Sequence, residues 1–158
     1  MNKHIPSLLP ALSTLILLIG AAEANAQCRR FARQRVISTL DASQTLGQIT
    51  SGRMSRGESA SAVLEIEQAG TVDLILSTHR ELGSVSYSVV DSRGKQYGEG
   101  QVQGPQERIS IDVQQDTDLI VHIQSERTTN TYIPLGCVAL ATARSIDSAH
   151  EYNLLAKE

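Results

Sequence analysis

The middle of the chain alternates apolar and polar residues with period two. Leu64 and Ile66 alternate with Glu65 and Glu67, Val85, Tyr87 and Val89 with Ser86 and Ser88, and Ile109, Ile111 and Val113 with Ser110 and Asp112. Successive side chains of an extended strand point to opposite faces, so this spacing puts one set in a core and the other in water. A surface helix needs its apolar residues three and four apart instead. Val72, Leu74 and Leu76, and then Leu119, Val121 and Ile123, supply two more strands. In these, Ile75 and Ile120 add an apolar residue on the second face, as central strands do.

Turn-forming residues punctuate the pattern at short intervals: Gln68-Ala69-Gly70, Glu81-Leu82-Gly83, Asp91-Ser92-Arg93-Gly94, Gln103-Gly104-Pro105 and Gln115-Asp116-Thr117-Asp118. Many short strands at this spacing predict an all-β chain of antiparallel strands, a sandwich or a barrel. Asp91 to Gly94 fits a hairpin in which the Asp91 side chain caps the turn and Gly94 takes a positive φ. Weaker strands are predicted around Val36–Leu40, Leu46–Thr50, Tyr97–Val102 and Thr131–Leu140, with Pro134 suited to an edge. Ser51–Ser61, rich in Gly, Ser and Arg, reads as a loop. After Ala143 the pattern changes, and Ser145–Ala156 reads as a short C-terminal helix, with Ser145 as its N-cap, or as a tail.

The first 26 residues have the three parts of a secretory signal: Lys3 and His4, the apolar run Leu8–Ile19, and the small residues of Ala24-Asn25-Ala26. Cleavage after Ala26 is expected, since the apolar run falls short of the ~20 residues that span a bilayer, and no later segment approaches that length. Removal leaves about 130 residues, enough for one domain with its own core. The expected organisation is a signal peptide at 1–26, a basic arm at 27–44, a sandwich at 45–143, and a helix or tail at 144–158. The chain is then periplasmic or secreted, with no transmembrane segment after cleavage.

Cys28 and Cys137, one near each end of the exported chain, enter an oxidising space together, and a disulfide between them is the economical reading. Lipid attachment at Cys28 is disfavoured because Gln27, and not a small residue, precedes it. A nucleophilic Cys137 would need a base, and no histidine lies near it in sequence.

The net charge of −3 predicts no bulk affinity for nucleic acid or membrane. Locally, Arg29, Arg30, Arg33 and Arg35 crowd together, either as an arm for an anionic partner or as a solvated strip. His79, His122 and His150 stand beside abundant serines, but no Gly-x-Ser-x-Gly elbow frames any of these. His122 falls on a sheet face and His79 in a turn. Asp112, Asp116 and Asp118 around one turn are the candidate Ca²⁺ ligands, with a solvated turn as the alternative. No other cofactor is indicated. The chain has no Trp, so aromatic platforms for sugars are few, and Tyr97 and Tyr132 are the surface candidates while Tyr87 alternates into the core.

The order of these features resembles the bacterial pre-peptidase C-terminal domain family. The similar stretches are Gly57-Glu58 leading into a strand, SAVLEIEQAGTVDLILST (61–78), YSVVDSRGKQY (87–97) and ERISIDVQQDTDLIVHIQS (107–125), within residues 45 to 141. The chain departs from the family at Asp116-Thr117-Asp118, where a Gly-Thr-Tyr-like turn is usual, and at Gly83–Ser86. The resemblance implies an antiparallel β-sandwich of jelly-roll type, about 8 strands. As no peptidase is attached, it also implies a stand-alone module that works by binding. The expected function is docking to a secreted or envelope protein, through a sheet edge or the arginine arm. The alternatives are a protease inhibitor presenting Ser51–Ser61 with Arg53 and Arg56, a small periplasmic hydrolase, and a self-associating structural protein.

Overall fold

Residues 25–127, 129 and 134–146 are described by a computed structural model of the chain. A helix, α1, occupies residues 25–37. Eight strands follow: β1 (Gln44–Ser55), β2 (Ser59–Ile66), β3 (Gly70–Thr78), β4 (Val85–Asp91), β5 (Gln96–Gln101), β6 (Gln106–Val113), β7 (Thr117–Ser125) and β8 (Leu135–Ser145). They form two four-stranded sheets, ordered β1-β8-β3-β6 and β2-β7-β4-β5, and every pairing is antiparallel. Only the β4–β5 neighbours are joined by a hairpin. The other connections cross between the sheets, which is how a jelly roll closes.

The period-two residues meet between the sheets. Leu64 and Ile66 of β2, Val72, Leu74 and Leu76 of β3, Val85 and Val89 of β4, Ile111 and Val113 of β6, and Leu119, Val121 and Ile123 of β7 are buried in one core with Val138 and Leu140 of β8. Each such side chain contributes about 1.5–3 kcal/mol by leaving water. β3 and β7 are central in their sheets, as their extra isoleucines require.

The β4–β5 turn forms as its residues dictate. Asp91 Oδ1 accepts hydrogen bonds from the backbone N–H of Arg93 and of Lys95, both at 2.9 Å, and Gly94 has φ +81°. The two sheets are also tied at their β1 and β2 edges. Gln48 sits at a register shift in β1, accepts from the Glu65 N–H through Oε1 at 3.1 Å and donates from Nε2 to the Val63 carbonyl at 3.2 Å. That side chain therefore satisfies edge groups of β2 that would otherwise stay unpaired.

Three sequence expectations are corrected. Val36–Leu40 is no strand, because Cys28, Phe31, Ala32 and Val36 recur at helical spacing and are all buried, and Val36 lies in α1. Ser51–Ser61 is mostly strand: β1 runs to Ser55 and β2 starts at Ser59, so Arg56-Gly57-Glu58 alone makes the turn. Its small polar residues belong to an edge strand with one face in solvent, where an apolar count carries no signal. Arg144 and Ser145 belong to β8 and not to a C-terminal helix. The rest of that proposed helix, like the leader residues 1–24, lies outside the described residues.

Candidate functional site

α1 lies on the outer face of the first sheet. Cys28, Phe31 and Ala32 pack with Cys137 and Ala139, and Val36 packs with Ile75, Ala141 and Ala143. Alternation places Cys137, Ala139, Ala141 and Ala143 of β8 on one face, and their small side chains let the helix approach closely. β8 is consequently buried on both sides. The Cys28–Cys137 disulfide expected from the sequence is present and almost fully enclosed, with Cys28 1% and Cys137 6% exposed. Both sulfurs are bonded, so Cys28 carries no lipid and Cys137 is no nucleophile.

The segment after α1 is fastened as well. The Arg108 guanidinium lies 3.5 Å from the Asp73 carboxylate and 3.6 Å from Asp41, donates to the Gln44 carboxamide oxygen, and reaches the Thr39 carbonyl. Gln44 in turn donates to Asp73 at 2.7 Å. Helix, connecting segment and sheet thus form one body.

With its apolar side down, α1 turns Arg29, Arg30, Arg33 and Arg35 into solvent. The arginines that crowd the sequence become an ordered basic surface, backed by a covalent bridge. Arg35 also sits 5.8 Å from the centre of the Phe31 ring, within cation–π range. Arg53 is exposed opposite Cys137 in the β1–β8 ladder, so it lies on the bridge's face of the sheet and extends the basic surface. Reading Ser51–Ser61 as a loop hid that placement. The helix itself was legible in the 28, 31, 32, 36 spacing.

Among the described residues no helix covers the outer face of the second sheet. Two cross-strand rows run over it: Ser59, Gln124, Ser86 and Gln101, then Ser61, His122, Ser88 and Glu99. They line an open cleft of ≈ 630 Å³. Ser61 Oγ lies 2.8 Å from His122 Nδ1, the one serine–histidine contact among the described residues, and no carboxylate hydrogen-bonds His122 there. Gln124 Nε2 faces the Gly57, Glu58 and Ser125 carbonyls at hydrogen-bond distance and its Oε1 accepts from the Ser59 hydroxyl, so its carboxamide is already engaged. His79 is half-buried against Phe31, with Nδ1 3.9 Å from the Glu81 carboxylate. The Glu81 backbone N–H, more than His79 or Arg80, holds the Glu81 carboxyl below its ordinary pKa.

The candidate calcium ligands do not converge. Asp112 accepts from the Gln114 carboxamide at 2.9 Å, whereas Asp116 and Asp118 border a separate open cleft with Glu65, Glu67 and Arg93. Among the described residues no three His, Cys, Asp or Glu side chains are grouped as a metal requires. Tyr97 packs against the core with the Lys95 ammonium 4.7 Å from its ring centre, so its face is taken. Tyr132 lies outside the described residues. Tyr87 is packed on the core, as alternation predicts, and burial, aided by Glu107, pushes its phenol pKa up. No described helix is long and apolar enough to cross a membrane.

No protein-family model and no curated protein matches the chain. Among solved structures the sandwich is similar to the pre-peptidase C-terminal domain of a collagenase from Bacillus anthracis, at 10% identity and TM-score 0.44, over 59% of this chain and 87% of that one. It is similar to Aeromonas hydrophila PliG, a periplasmic lysozyme inhibitor of g-type lysozyme, at 10% identity and TM-score 0.42, over 61% and 85% of the two chains. It is also similar to a structure of Bacillus endospore appendages, described as disulfide-linked pili, at 14% identity and TM-score 0.41, over 69% and 97%. The family named from the sequence recurs here, and these likenesses concern sandwich architecture alone.

Proposed function

We propose that the chain is an exported, non-catalytic module that docks an acidic surface of a secreted or envelope protein through the arginine face of α1. The observation that carries this reading is the orientation of that helix. Its apolar side is clamped to β8 by packing and by the Cys28–Cys137 bridge, which leaves Arg29, Arg30, Arg33 and Arg35 held outward on a rigid support. Ordering costs are thereby met before binding, and guanidinium groups favour carboxylate partners through paired hydrogen bonds. Export is supported by the signal-like leader and by a buried disulfide, which persists in an oxidising compartment.

The inhibitor alternative has lost its loop, since Arg53 lies in β1 and the Arg56 guanidinium packs over Gly83. The hydrolase alternative retains only the Ser61–His122 contact on an open face.

The test is affinity capture by the tagged mature chain from its own envelope and medium, alongside a variant with Arg29, Arg30, Arg33 and Arg35 changed to Ser. Circular dichroism and the intact disulfide confirm that the variant folds. A single protein recovered by the parent, released by salt and lost with the variant is the expected result. Equal recovery by both forms would move the binding surface onto the sandwich, and recovery by neither would remove the docking reading.

A further inference from the structure

We infer that the exported chain begins with a pyroglutamyl residue, formed by cyclisation of Gln27. The inference rests on the export reading above, because only cleavage after Ala26 turns the Gln27 nitrogen into a free amine.

Gln27 is exposed, while its neighbour Cys28 is 1% exposed and bonded to Cys137. The clamp therefore begins one residue after the expected cut and leaves Gln27 as the sole residue outside it. Both reacting groups, the α-amine and the side-chain carboxamide, belong to that residue and stand in solvent. The amine in its neutral form attacks the carboxamide Cδ, and a new N–Cδ bond closes a five-membered lactam. The bond from Cδ to the carboxamide nitrogen breaks, and that nitrogen takes the proton given up by the amine and leaves as ammonia. Nothing is oxidised or reduced, and no co-reactant is consumed.

The fold accommodates and favours the product. The first N–H groups of a helix have no partner within it, so a lactam nitrogen at position 27 breaks no hydrogen bond of α1. An ammonium there would stand at the positive end of the helix dipole, with Arg29, Arg30 and Arg33 exposed just beyond it. Cyclisation removes that charge and leaves the arginines. It also leaves a chain end with no amine for an aminopeptidase to grasp, next to a residue already held by the bridge.

The full-length chain is expressed with its leader in a bacterial host, recovered from the envelope fraction, and weighed intact by mass spectrometry beside a Gln27→Ala variant. The expected mass is that of residues 27–158 with one disulfide, less one ammonia. Edman degradation should then yield no sequence until pyroglutamyl aminopeptidase is added, whereas the Gln27→Ala variant should be readable at once. A chain starting at residue 27 with its full mass and a free amine overturns the cyclisation and leaves export standing. A chain that keeps its leader, or starts elsewhere, overturns the premise and the inference together.

Discussion

The Phe31 ring meets the His79 imidazole edge-on, with centroids 4.3 Å apart and planes at 81°. The backbone N–H of His79 donates to the Cys137 carbonyl at 3.0 Å. One residue after β3 thus touches both the helix and the strand that the disulfide joins. Ring contact and bridge both hold α1 against β8.

Replacing Cys28 and Cys137 together by Ser should lower the unfolding free energy by about 3–5 kcal/mol, since the bridge closes a long loop in the unfolded chain. Urea denaturation measures the loss. Trypsin should then cut at Arg29–Arg35 well before the sandwich is digested, whereas the bridged protein should resist.

Phe31→Ala removes an aromatic ring buried against the sheet and should cost about 3 kcal/mol. The bridge still forms, so intact mass stays that of the oxidised protein while the thermal midpoint falls. A change below about 0.5 kcal/mol would mean that α1 is held by the disulfide alone.

Ile75→Ser and Ile120→Ser make the same change on the outward faces of the two central strands. Ile75 is buried under α1 and Ile120 is half-buried on the open sheet. The first should cost about 4 kcal/mol and the second under about 1 kcal/mol by urea denaturation. Equal costs would contradict the placement of the helix.

Burial raises the Asp91 pKa, but the backbone N–H groups of Lys95 and Arg93 and the charges of those two side chains outweigh it and hold the carboxyl below the ordinary aspartate range. A folded pKa below the unfolded value of ~3.9 gives stability above that value, lost as pH falls through the folded pKa. Asp91→Asn should therefore be less stable than the parent at about pH 6, and the gap should close by about pH 2. Urea denaturation at both values checks the sign.

Asp91 to Gly94 was readable because a turn is decided within four residues, by a side-chain acceptor and a residue free to take positive φ. β2, β3, β4, β6 and β7 were readable because each buries one face, so its core contacts leave a period-two trace. β1 was read only in part, at Leu46–Thr50, since Gln44–Ser55 is an edge strand with half of its residues exposed, and the Gly, Ser and Arg residues of its second half suit loop and strand alike. The buried spacing of α1 was present, but four arginines within seven residues drew the reading toward an arm.

By itself, the sequence determined an antiparallel all-β chain, two of its four central strands (β3 and β7), its hairpin and the pairing of its two cysteines, because alternation, turn chemistry and a lone cysteine pair are local or have one solution; the central place of β8, read as a flanking strand, came only with the fold. Tertiary structure decided which outer sheet face is covered. Ile75 and Ile120 look alike in their strands, yet α1 seals the first and leaves the second half-exposed, and that same docking turns a cluster of arginines into an ordered surface. Small residues on a sheet face let a helix approach closely enough to be bridged to it. The row of Cys137, Ala139, Ala141 and Ala143 offers that room, while on the open sheet Ser59 and Ser61 already bond Gln124 and His122 across β2 and β7.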